Sequence, residues 1–199
     1  SFGALRRILE NYSATDATVY LEMLDPLLKL LRTADAELTV QIILILTILT
    51  SSPTVKDKLL DAGLLPIFVQ MLDVQEFIPS CLELFVSLTY STEEFVEALL
   101  GIGLMSKLYP LATGETFRTT IAIFTNIIVS TTSETTDIFD LQFVDGLVEK
   151  ALGDVITVKK EAELFIASWI KRHPTQEMTE NIAELIIDAL GSESDDVIG

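Results

Sequence analysis

The chain has 199 residues, 49% of them hydrophobic, and its 30 Asp and Glu against 13 Lys and Arg leave a formal charge of −17. That balance argues against nucleic acid as a ligand, because phosphate contact needs a cationic surface. The acidity itself has two readings: attraction for basic partners, or solubility for an apolar chain. Cys81 is the only cysteine and His173 the only histidine, so neither a disulfide framework nor a multi-ligand zinc site can be assembled, and no cofactor is expected.

In chain order, apolar residues at helical spacing predict helices over 24–32 and 37–50. The second contains the most apolar run, Ile42 to Leu49, which falls far short of the roughly 20 residues that span a bilayer. It reads as a buried helix, with no membrane partner. Helices are predicted next over 53–62, 64–72 and 77–90, then 92–100, 104–112 and 117–130, then 134–139, 144–153 and 155–172. Each group is a short helix, a second helix and a longer third. Cys81 falls in an apolar helical pattern and is expected to pack as a small hydrophobe. His173 follows Lys171 and Arg172 at a helix end, where cations suit the dipole. Residues 191–196, Gly-Ser-Glu-Ser-Asp-Asp, read as a turn leading into a further helix. The first residues lack the charged-then-apolar order of a secretory signal, which points to cytoplasm or nucleus, and Asn11-Tyr12-Ser13 is then an accidental glycosylation pattern.

The groups share a phrase. Asp61-Ala62-Gly63-Leu64-Leu65, Gly101-Ile102-Gly103-Leu104-Met105 and Val144-Asp145-Gly146-Leu147-Val148 each read as a helix start, and their glycines Gly63, Gly103 and Gly146 lie 40 and 43 residues apart. A helical repeat of roughly 40 to 47 residues is that of an armadillo or HEAT array. The fold class expected is therefore all-α, a right-handed armadillo-repeat α-solenoid of about four repeats plus the start of a fifth, with residues 1–199 as one domain.

The parts of an active site are missing from the sequence. There is no Gly-x4-Gly-Lys phosphate loop, and His173 has no glycine-flanked nucleophile to serve. Adjacent acids such as Glu93 and Glu94 point in different directions on a helix. Ser91 with Glu94 has the spacing of a capping box, and the hydroxyls of Thr113, Thr116 and Ser133 likewise read as helix and turn caps rather than catalytic groups. An enzyme is not expected.

At the level of repeat order the chain resembles importin-α. Leu5-Arg6-Arg7-Ile8-Leu9 followed by residues 19–31 looks like that family's first repeat, and Phe117-Arg118-Thr119-Thr120-Ile121-Ala122-Ile123-Phe124-Thr125-Asn126 is similar to its Leu-Arg-x-x-x-Trp-x-Leu-Ser-Asn helix. Lys160-Glu161-Ala162 resembles the opening of a later third helix. The resemblance implies that third helices present a Trp and, four residues later, an Asn to a concave groove that holds a basic peptide. The corresponding pairs here are Ile43 with Thr47, Glu83 with Ser87, Ala122 with Asn126 and Leu164 with Ser168, so only Asn126 matches. Every groove Trp is absent, and Trp169, one place beyond Ser168, is turned by about 100° toward the core.

Two functions follow as expectations. In the first, the chain is an adaptor for an extended, basic, nuclear-localisation-like peptide: Asn126 fixes the peptide backbone, Glu83, Glu93 and Glu94 attract its cations, and Ser87, Thr47 and Thr119 complete the site. Arg118 could instead neutralise one of these acids. In the second, a scaffold docks a folded partner or an amphipathic helix through apolar residues such as Ile43, Ala122 and Leu164, with no import role.

Overall fold

The computed structural model describes the backbone of residues 17–131, 138–153 and 156–195, and the side chains of residues 21–131, 138–153 and 159–190. The Leu5-Arg6-Arg7 segment, Asn11, Ser133 and most of the helix expected over 134–139 lie outside those residues. In the first part of the chain come α1 (Ala17–Leu31), α2 (Ala36–Leu49), α3 (Pro53–Asp61), α4 (Leu65–Met71), α5 (Ile78–Thr89), α6 (Glu93–Gly101) and α7 (Leu104–Leu108). Then follow α8 (Phe117–Ser130), α9 (Leu141–Leu152), α10 (Ile156–Arg172) and α11 (Glu180–Asp195). No strand occurs among the described residues.

Prolines and glycines account for most boundaries. Pro53 and Pro66 sit in the first turns of α3 and α4, where a missing N–H costs nothing. The helix expected over 104–112 stops at Leu108 and tightens into a 3-10 turn over Tyr109–Leu111, because Pro110 has no N–H to continue the α ladder. Gly63 has φ +65° and ends α3: its N–H donates to Leu60 O at 2.9 Å while Leu64 N–H donates to Leu59 O at 3.2 Å, which is a Schellman closure. Gly103 (φ +84°) ends α6.

Three expectations about elements fail. Gly146 does not start a helix; it lies inside α9, which begins at Leu141 because the Asp140 carboxylate accepts a bond from Phe143 N–H at 2.7 Å. An earlier cap therefore takes over, and the phrase shared by the glycines has a different structural meaning at its third occurrence. Residues 191–195, expected as a turn, continue α11. The helix expected over 24–32 begins at Ala17, so Pro26 is interior to α1, on its exposed side where the carbonyl it leaves unpaired can be hydrated.

The chain divides into two compact units, Ser1–Lys107 and Leu108–Gly199. In the first, α2 packs along α5, and α1 packs on α2 and α3; Ile42, Ile45, Leu46, Phe68 and Phe85 are among the fully buried side chains. In the second, α8 packs along α10, while α9 and α10 both hold α11. Its core is aromatic. Phe124 lies 5.4 Å from Phe139 and 5.6 Å from Phe143 by ring centroids, both edge-on, and Phe139 lies 5.4 Å from Phe165. Trp169 is buried as expected, donating from Nε1 to Phe139 O at 3.0 Å and stacking on His173. Cys81 is also buried, and burial pushes its thiol up to about 12, so it stays protonated and inert.

Candidate binding faces on the third helices

Burial along the long third helices follows one pattern. In α5, Cys81, Leu82, Leu84, Phe85 and Leu88 face the core, which leaves Pro79, Glu83, Val86, Ser87 and Tyr90 on the opposite side. The outward set is spaced i, i+4, i+7, i+8 and i+11, a single stripe of a 3.6-residue helix. α8 repeats it with Arg118, Ala122, Thr125, Asn126 and Val129, and α10 with Lys160, Leu164, Ala167, Ser168 and Lys171. In α2 the same pattern selects Val40, Leu44, Thr47, Ile48 and Ser51.

The α2 stripe corrects the sequence alignment by one residue. Ile43 is 0% exposed and belongs to the core, so it cannot line a binding face. The residues level with Glu83 and Ser87 are Leu44 and Ile48. Counting back from the glycines misplaced them because Gly63 and Gly103 are 40 residues apart, whereas the α2 and α5 stripes are offset by 39. Thr47 stays on the face, level with Val86, its hydroxyl donating to Ile43 O at 3.0 Å.

In the first unit Glu83 is exposed at the centre of the face. Ser87 joins three helices: its hydroxyl accepts from Thr50 at 2.9 Å, and its carbonyl accepts from Lys56 Nζ at 2.6 Å. Lys56 also donates to Tyr90 O and is itself buried, and burial pushes its ammonium below the ordinary lysine range. Glu93 and Glu94 lie in the first turn of α6, beyond the Tyr90 end of the stripe rather than on a third helix. The capping box expected between Ser91 and Glu94 is not made: the N-cap is Thr92, whose own side chain makes no capping hydrogen bond. Two carboxylates beside a helix N-terminus are favoured by its dipole in any case.

In the second unit Asn126 is half-buried on the α8 stripe, four residues after Ala122. Thr119 is half-buried about two turns earlier on the same helix, level with Glu161 on α10. The acid that Arg118 neutralises is Glu161, reached by its Nε and Nη2 at 3.3 Å. Leu164 and Val129 are 60% and 61% exposed, large values for aliphatic side chains. Arg172, near the C-terminal end of α10, donates to Ile128 O at 2.7 Å. Among the described residues no group of His, Cys, Asp or Glu could hold a metal ion, and no helix is long and apolar enough to cross a membrane.

Known structures share this arrangement of stacked three-helix units. A designed armadillo-repeat protein in complex with the peptide (KR)4 superposes with TM-score 0.69 at 20% identity, covering 94% of this chain and 80% of that one. The fold is an armadillo-repeat α-solenoid. Computationally designed armadillo-repeat proteins for modular peptide recognition give TM-score 0.66 at 21% identity over 83% of this chain and 74% of theirs. Another designed armadillo-repeat protein gives TM-score 0.62 at 21% identity, and the matched region is 72% of this chain and 63% of that protein. No protein-family model matches the chain, and no curated protein matches it. In armadillo terms α3, α4 and α5 are one complete repeat, α6, α7 and α8 the next, α9 and α10 close the fourth, and α11 opens a fifth.

Sequence reasoning missed Leu44, Ile48, Lys56, Lys160 and Lys171. Lys160, Leu164 and Lys171 already stand at i, i+4 and i+11, which is the signal of a shared helix face. Lys56 gives none, because its partners are backbone carbonyls more than 30 residues away.

Proposed function

We propose that this protein is a binding adaptor, taking segments of partner proteins on the outward faces of its third helices. One observation carries the reading: the same five-position stripe recurs on α2, α5, α8 and α10, and its fourth position is Ser87, Asn126 and Ser168 on the last three. Hydroxyl and amide groups recurring once per repeat suit a polypeptide backbone, whose N–H and C=O groups also recur. The designed armadillo protein bound to (KR)4 supports an extended peptide as the occupant.

On the first unit's face the charge is acidic, with Glu37 and Glu83 exposed on α2 and α5. Here the proposal is a basic segment of nuclear-localisation type, and a cytoplasmic or nuclear setting goes with it. Glu93 and Glu94, on α6, add to the acidic field. A lysine–arginine octapeptide titrated by fluorescence anisotropy tests this: binding weakens as salt rises, because screening shortens the reach of exposed charges to about 8 Å at physiological ionic strength. Glu83→Lys weakens it further at low salt. Binding that ignores both salt and Glu83→Lys would overturn the basic-peptide reading.

A scaffold that docks apolar surface is favoured on other positions by the exposure of Leu164 and Val129. The same adaptor can use both modes, one on each unit.

A further inference from the structure

The charge of this chain is not evenly spread. Helices α8 and α10 together carry Arg118, Lys159, Lys160, Lys171 and Arg172 against Glu161 and Glu163, five of the 13 cations against two of the 30 acids. Two of those cations are committed elsewhere: Lys159 pairs with Asp188 at 3.2 Å and Arg172 caps Ile128 O. Of the two acids, Glu161 is bonded to Arg118 and Glu163 is half-buried on the flank of the stripe. What remains outward on the stripe itself is Lys160 and Lys171, with the Arg118–Glu161 pair beside them and no exposed carboxylate.

The positions of these cations relative to the apolar residues are defined by the helix. Lys160 and Lys171 are 11 residues apart on one stripe, about 16 Å at 1.5 Å per residue, and Leu164 and Ala167 fill the interval. On α8, Val129 stands level with Lys171 and Ala122 level with Leu164, given the 42-residue offset between the two stripes. The face thus sets exposed aliphatic side chains, Leu164 between the two lysines and Val129 beside Lys171, among the polar Thr125, Asn126 and Ser168, with a cation at each end of α10. Exposed leucine and valine of this extent suit burial under a partner, and the bracketing ammonium groups select the sign of the charge that comes with it.

We infer that the outward face of α8 and α10 binds a segment carrying aliphatic side chains flanked by carboxylates, the reverse of the basic peptide assigned to α2 and α5. This rests on the third-helix faces being binding surfaces at all. Within a chain of net charge −17, a local cationic face also steers which part of the molecule an acidic segment meets.

The experiment uses the whole chain and two labelled octapeptides, one alternating Glu and Leu, the other alternating Lys and Arg. Anisotropy is measured for the natural sequence, for the double variant Lys160→Glu with Lys171→Glu, and for Glu83→Lys, with far-UV circular dichroism confirming helicity. The Glu–Leu peptide binds, loses about tenfold or more in affinity with the double reversal, and is unaffected by Glu83→Lys. If the reversal disturbs the fold, Lys160→Gln with Lys171→Gln shifts affinity the same way by a smaller factor. A Glu–Ser peptide binds more weakly than Glu–Leu if the exposed aliphatic side chains contribute, and equal binding overturns that part. Binding of Lys–Arg but not Glu–Leu overturns the inference and leaves the adaptor reading standing. Failure of both peptides removes the adaptor reading itself.

Discussion

Two glycines from one repeated phrase now carry opposite expectations. Gly63 sits at φ +65° and closes α3, so Gly63→Ala forces a side chain into the left-handed region and costs about 1 kcal/mol. Gly146 lies in the interior of α9, and a Cβ there meets nothing within 4 Å, so Gly146→Ala stabilises by about 0.5–1 kcal/mol. Urea unfolding of the two variants checks both, and equal signs would contradict the helix boundaries assigned. The phrase was legible in the sequence, but its meaning was not. Whether a glycine ends a helix or is enclosed by one depends on where the preceding helix begins: Asp140, six residues before Gly146, caps α9, whereas Asp57, six before Gly63, already lies inside α3. The burial of Trp169 and Cys81, in contrast, followed from their places in the apolar pattern alone. Ile43 shows the finest limit: a slip of one residue is 100° on a helix, enough to exchange a core side chain for a surface one.

Third helices depend on their neighbours at their ends as much as along their length. The last carbonyls of α5 have no partner within the helix, and Lys56, reaching in from α3, takes Ser87 O and Tyr90 O. A buried ammonium is costly unless hydrogen-bonded, which is why it is found against carbonyls rather than beside apolar atoms. Lys56→Met keeps the stem and removes the donors, so two acceptors lose their partner; a loss of about 1–3 kcal/mol in thermal or urea unfolding is expected. A neutral result would mean that water replaces the ammonium at no cost. Arg172 plays a related part for α8 by donating to Ile128 O from α10. The Lys56 contacts tie the first and third helices of one repeat and the Arg172 contact ties two successive third helices, each between a long side chain and backbone, and no spacing rule in the sequence records them. The order of the helices was legible because apolar periodicity is local, but the bounds of α1, α7, α9 and α11 were not, because caps and prolines set them. The end contacts were not, because they pair residues 31 to 44 positions apart.

Across the solenoid, the repeat sets which side chains face outward. An array of three-helix units leaves one stripe per third helix outward, and the sequence varies those stripes while keeping the core: Leu44 and Ile48 on α2, Glu83 and Ser87 on α5, Ala122 and Asn126 on α8, Leu164 and Ser168 on α10. Armadillo architecture and the absence of a Trp from the stripes could be read from the chain; which face of each helix points outward required the burial pattern. In the adaptor proposed above these stripes are the binding surfaces. Methyl chemical-shift mapping tests it most directly, with Ile, Leu and Val methyls labelled and the octapeptides added in turn. Shifts are predicted at Leu44 and Ile48 with Lys–Arg, and at Val129 and Leu164 with Glu–Leu, while Ile67 and Leu60, exposed on α4 and α3, stay still. Shifts confined to Ile67 and Leu60, with the stripe methyls unmoved, would contradict it.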